Sequence, residues 1–194
     1  MDPEAEYQHR SMLAAFNELA ASQGVWHLSA SIDGQDAKRN AGATSLVKRK
    51  RVQLTKVPPS AIQTNVEVPT IPAGKQTLCF LPDRLLVFDP KGVGSVSYDA
   101  LKVQIEPSSF VESEAVPSDA KVIGETWRYV NKKGGPDKRF NDNRQIPICA
   151  YEMVGFTSAS GLNELLQVSR QGAGDAFRQT LAEWTAARDR ASQT

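Results

Sequence analysis

The chain is poor in the residues that build metal and redox centres. Its 194 residues include two cysteines and two histidines. A structural zinc site needs about four thiolate or imidazole ligands, and neither His9 nor His27 has a cysteine, histidine or carboxylate at ligand spacing, so none is expected. Cys79 and Cys149 sit inside apolar runs, LCF and IPICAY, and read as buried small hydrophobes, not as a disulfide scaffold. Long apolar stretches are missing as well: nothing approaches the roughly 18 consecutive apolar residues of a membrane-spanning helix. The N-terminus, MDPEAEYQHR, is acidic and polar and does not read as a secretory signal, which sets the expectation of a cytoplasmic protein. Glycine and proline, at 13 and 11, are too few for a collagen-like or low-complexity chain.

Catalytic signatures are also lacking. There is no Gly-x-Ser-x-Gly for a serine nucleophile and no Walker-type phosphate loop. The Gly-Val-Gly at 92–94 is too short for a dinucleotide fingerprint and opens a strand, not a helix. A catalytic histidine is conceivable only at His27, which in VWHLSAS reads as a strand residue. No cofactor is expected. What remains is a chain with 40% hydrophobic and 23% charged residues, able to bury a sizeable core.

Charge is close to balanced overall, at +1, but it is segregated. Residues 37–56 hold seven cations, Lys38, Arg39, Lys48, Arg49, Lys50, Arg51 and Lys56, and no acid. Residues 121–144 hold seven more, Lys121, Arg128, Lys132, Lys133, Lys138, Arg139 and Arg144, against Glu125, Asp137 and Asp142. Such polarity steers an anionic partner to one face. In the second block Trp127, Tyr129 and Phe140 interleave with the cations, the combination that stacks on bases, and Gly134-Gly135 permits close backbone approach to a phosphate or carboxylate. In the first block, strand alternation sends Lys48 and Lys50 one way and Arg49 and Arg51 the other, so one surface receives only half of the run. An edge strand protected by charge explains it equally well. The sequence pI of about 7.8 is below that of a dedicated nucleic-acid domain.

Hydrophobic periodicity predicts a helix over 3–23, with Met12, Phe16 and Leu19 on one face. Strands follow over 24–56, including the basic strand, and a proline-rich connector over 57–74. QTLCFL and RLLVFD flank Pro82-Asp83 as a hairpin. Further strands lie in SVSYDALKVQI, KVIGETWRYV and QIPICAYEMVGF, and Pro107 opens an irregular acidic stretch. Leu162, Leu165, Leu166 and Ser169 suit a short helical face, and Phe177, Leu181 and Trp184 mark a second helix. The expected fold is α+β: a single domain over 1–194, a mostly antiparallel sheet with an N-terminal helix and C-terminal helices.

The segment LCFLPDRLLVFDPKGVGSVSYDALKVQIEP resembles the opening of a pleckstrin-homology-like or GRAM-like domain of uncharacterised bacterial proteins. The matching residues are Leu78 to Leu81, Arg84, Leu85 to Phe88, Val96, Tyr98, Asp99, Leu101 and Val103. The resemblance covers 75–190 and makes 107–144 a long insertion. It implies a non-enzymatic binding module, since such folds present loops and a sheet edge to lipids or proteins.

The expected function is therefore docking of a protein partner, with an anionic lipid head group or nucleic acid as the other ligands considered. The candidate contacts are Arg128, Lys132, Lys133, Lys138, Arg139, Arg144, Lys48, Arg49, Lys50 and Arg51. The enzyme alternative is a metal-dependent nuclease of the PD-(D/E)xK type, with Pro82-Asp83 followed by Asp119-Ala120-Lys121. Asp89-Pro90-Lys91 and Asp36-Ala37-Lys38 also fit the tripeptide, so its occurrence is close to chance for a chain with 22 acidic residues. A structural subunit of a larger assembly is the remaining alternative.

Overall fold

The computed structural model describes residues 3–31 and 46–191. The Asp33-Gly34 turn, the loop that follows it and the Asp36-Ala37-Lys38 tripeptide lie outside the described residues. The fold is α+β, with two antiparallel sheets and a helix near each end of the chain. Helix α1 spans Pro3–Ala20, and helix α2 spans Ala173–Ala191. No helix of the described residues is long and apolar enough to cross a membrane.

The larger sheet runs in the order β2 (Leu46–Arg51), β1 (Val25–Ser31), β10 (Asn163–Val168), β9 (Gln145–Thr157), β7 (Lys102–Val111). Strand β9, 13 residues long, is its spine: it pairs with β7 along one edge, and with β10 and then β8 (Lys121–Trp127) along the other. The smaller sheet is a meander of β3 (Thr70–Ala73), β4 (Gln76–Phe80), β5 (Leu85–Asp89) and β6 (Gly92–Val96). One apolar cluster fills the space between the sheets and both helices, with Met12, Phe16 and Leu19 from α1 and Phe177, Leu181 and Trp184 from α2. Those are the stripes that periodicity assigned to the core.

Several elements differ from the sequence expectation. Residues 163–168 are strand, not helix, so the chain has one C-terminal helix among the described residues. Strand β10 lies between β1 and β9 and is covered on both faces, which makes LLQV a nearly continuous buried run whose period cannot separate strand from helix. The proline-rich connector contains β3, and the irregular stretch expected from Pro107 begins only after Val111. Pro72 and Pro107 are tolerated because β3 and β7 are edge strands, where a missing N–H leaves no ladder partner unpaired.

His9 on α1 is buried, and neither ring nitrogen has a hydrogen-bond partner. Burial lowers its pKa from 6.5, only partly opposed by Glu67. Below that value the unfolded chain takes up a proton that the folded chain refuses, so stability falls as pH drops. We expect the melting temperature to decline between about pH 7 and pH 5 more steeply than in a His9→Leu variant. Superimposable pH profiles for the two proteins would acquit His9.

Candidate binding surfaces

The register of β2 on β1 sets Lys50 opposite His27 and Lys48 opposite Ser29, with Arg51 opposite Trp26 and Arg49 opposite Leu28. Paired residues share a sheet face, so the lysines lie on the face that also carries the core and the arginines on the outer face. The split is the one alternation implied. The fate of Arg49 is not, for its side chain is only 13% exposed. The guanidinium carbon lies 3.6 Å from the centroid of Trp26 and 4.0 Å from that of Phe110. Nη2 donates to Glu112 Oε1 at 2.7 Å, and the same oxygen accepts the Tyr151 hydroxyl at 2.5 Å. Gln167 accepts from Arg49 Nη1 at 3.4 Å and donates to Ser108 Oγ at 3.0 Å. Arg49 is thus consumed inside the protein and offers little to a partner.

This network sits under a strap. After β7 the chain folds back across the outer face, and Val116 and Ala120 pack on Trp26, Cys149 and Tyr151. Asp119 Oδ2 accepts the Gln23 backbone N–H at 2.9 Å and pins the far end of the strap beside α1. Between strap and sheet lies a cleft of about 560 Å³, bordered by Arg51, Trp26 and Phe110. Burial, then the hydrogen bond and charge of Glu112, push the Tyr151 pKa upward, so its hydroxyl stays a donor. Burial, then Glu112, likewise raise the Cys149 thiol, which suits an inert cysteine.

The second basic block forms an ordered projection between β8 and β9. Tyr129 and Phe140 stack with centroids 4.1 Å apart and planes 18° from parallel. Asn143 accepts the Tyr129 N–H and donates to the Tyr129 carbonyl, clamping the base of the projection. At its tip Asn131 Oδ1 accepts the N–H groups of Lys133 and Gly135. Arg128 pairs with Asp142 at 3.0 Å and Arg139 with Asp137 at 2.5 Å. The hydrogen bonds from Arg139 hold the Asp137 carboxyl below its ordinary range. Arg144 reaches the Ser113 carbonyl at 3.5 Å. Lys132, Lys133 and Lys138 are exposed and form no ion pair with a described residue. The structure therefore divides the ten sequence-selected cations. Arg49 is internal, Arg51 borders the cleft, Lys48 and Lys50 occupy the opposite face, and the rest surround the projection. Trp26, Phe110, Glu112, Tyr151 and Gln167 were not selected from sequence.

The nuclease residues do not converge on one element. Asp83 lies in the β4–β5 turn and is bound by Arg84 at 2.6 Å, while Asp119 is on the strap and Lys121 begins β8. No group of three potential metal ligands occurs among the described residues. Comparison with protein-family models, curated proteins and solved structures finds no match to this chain.

Proposed function

We propose that this protein is a non-catalytic docking module that takes an extended, acidic segment of a partner protein along strand β8 and the projection that follows it. One observation carries the reading. Among the described residues β8 pairs with β9 alone, and its Val122 and Ile123 are 50% and 55% exposed. Natural edge strands are usually blunted by charge, proline or a cover, because an open apolar edge recruits another strand. On β8 a bulge at Ile123 and the charges of Lys121 and Glu125 flank, but do not cover, Val122 and Ile123. Val130 and Phe140 extend the apolar surface onto the projection, beside the unpaired Lys132, Lys133 and Lys138. Main-chain pairing would supply affinity, and the lysines would select an acidic sequence. The pleckstrin-homology-like reading of 75–190 belongs to this proposal. It is supported by consecutive hairpins from β3 to β6, and by the long strand β9 and the helix α2 that close the core.

The test is capture from a bacterial lysate by three forms of the tagged protein. These are the parent, Lys132→Glu/Lys133→Glu/Lys138→Glu, and Ile123→Lys. A protein retained by the parent at low salt and depleted roughly tenfold or more by both variants is the expected result. An identical set of retained proteins in all three forms would sink the proposal, as would retention of nucleic acid alone.

A further inference from the structure

On the opposite side of the molecule from the strap, β1 and β10 carry a histidine–carboxylate pair at the rim of the core. His27 Nε2 lies 2.6 Å from Glu164 Oε2, and the two side chains are 7% and 16% exposed. A carboxylate can only accept, so Nε2 carries the proton and the ring is held in one orientation. Gly74, in the β3–β4 turn with φ +63°, lies against the other edge of the ring. A Cβ there would stand 2.8 Å from His27 Cε1. The backbone has been brought as close to the imidazole as a glycine allows. Nδ1 has no hydrogen-bond partner among the described residues.

The pair opens on a cavity of about 650 Å³, within the range of small-ligand sites. Lys50, Lys75, Gln76 and Asn163 also line it, and Glu164 is its one carboxylate among the described residues. Neither lysine forms an ion pair with a described residue. Glu164 is already engaged by His27, so among the described lining residues the two lysines have no carboxylate of their own. A dianion matches that count and a single carboxylate leaves one cation unmatched. The unpartnered Nδ1 of His27, an acceptor once Nε2 carries the proton, suits a ligand hydroxyl.

We propose that this cavity binds the phosphomonoester group of a small hydroxylated molecule. A phosphomonoester is mostly dianionic at neutral pH, since its second pKa is about 6. Lys50 and Lys75 neutralise the phosphoryl oxygens, and the Nδ1 of His27, whose Nε2–H is held by Glu164, accepts a hydroxyl of the ester moiety. The Asn163 amide supplies a neutral donor to the phosphoryl group. Nothing in this site overlaps β8 or the projection, so it stands or falls independently of the docking surface.

The experiment follows the His27 ring signals by NMR in the full chain during titration with glycerol 1-phosphate, with glycerol as control. A saturable shift with a dissociation constant of about 1 mM or tighter is expected with the ester, and none with glycerol. A Lys50→Met/Lys75→Met variant of unchanged melting temperature should bind at least roughly tenfold more weakly. A parallel arm offers phosphatidate vesicles, and a shift there without one from the soluble ester assigns the same phosphoryl group to a lipid. The proposal fails if neither source shifts the ring up to about 20 mM phosphate, or if the double variant binds as well as the parent.

Discussion

Arg49→Met is expected to destabilise the protein by about 3–5 kcal/mol, although it changes one cation in a strand that looks, in sequence, like a solvated surface. The cost does not come from the missing charge itself. Glu112 is 5% exposed, and it would be left buried with the Tyr151 hydroxyl as its remaining side-chain donor among the described residues. Orphaning a buried charge is the expensive half of breaking such a pair, and the loss of ring contacts with Trp26 and Phe110 adds to it. For a chain of this length the melting temperature should fall by roughly 10 °C. Two companions separate this account from a general sensitivity of β2. Lys50→Met, on the same strand, should stay within about 0.5 kcal/mol of the parent. Arg49→Met/Glu112→Gln should recover a large part of the loss, because a neutral amide still accepts the Tyr151 hydroxyl and no charge is stranded. Urea denaturation of the four proteins measures all of this. If Arg49→Met costs no more than Lys50→Met, the buried pair is not holding the strap and sheet together.

The same residue shows where sequence reading stops. Alternation within LVKRKR correctly placed Arg49 and Arg51 on one face and the lysines on the other, because a period of two is a local property. What Arg49 meets on its face is not local. Trp26, Glu112, Tyr151 and Gln167 come from four other segments, and the strap that shelters them was expected as an irregular acidic stretch. Glu112, directly after the apolar pair Phe110-Val111, was the one available hint that an acid was being carried into a buried position. The projection fared differently. Its residues are neighbours in the chain, so the alternating aromatics and cations were visible, though Arg128 and Arg139 pair with Asp142 and Asp137 and Arg144 reaches the Ser113 carbonyl, which leaves Lys132, Lys133 and Lys138 without an ion pair among the described residues.

The helices and hairpins were legible for a related reason. The α1 and α2 stripes recur at helical spacing, and Pro82-Asp83 marks a turn between two runs that pair from Thr77↔Phe88 to Phe80↔Leu85. The strand β10 was misread because a strand buried on both faces carries no alternation to read. His27 was rightly expected in a strand, but its pairing with Glu164 joins residues at opposite ends of the chain. Nothing in VWHLSAS points to that partner.

Phe177→Ala should be the most damaging truncation in the apolar core, at about 3–5 kcal/mol. The ring is fully buried at the point where four elements meet. It lies 6.0 Å from Phe16 of α1, 5.2 Å from Phe80 of β4 and 6.4 Å from Phe156 of β9, the latter two edge-on. Removing it opens one cavity that neither sheet nor either helix can close without moving away from the others, so relaxation recovers little. Trp184, about two turns further along α2, has more surface but stacks on Tyr98 alone among the described aromatic rings, at 5.0 Å. Its truncation should cost less because the end of the helix can shift to fill the gap. Phe177→Leu, which keeps most of the volume but no ring, should cost about 1.5 kcal/mol. Denaturation midpoints with unchanged m-values would order the three as Phe177→Ala, Trp184→Ala, Phe177→Leu. A larger loss at Trp184 than at Phe177 would show that α2 is anchored by its C-terminal half, and that the aromatic junction beneath its first turns is a tolerant site.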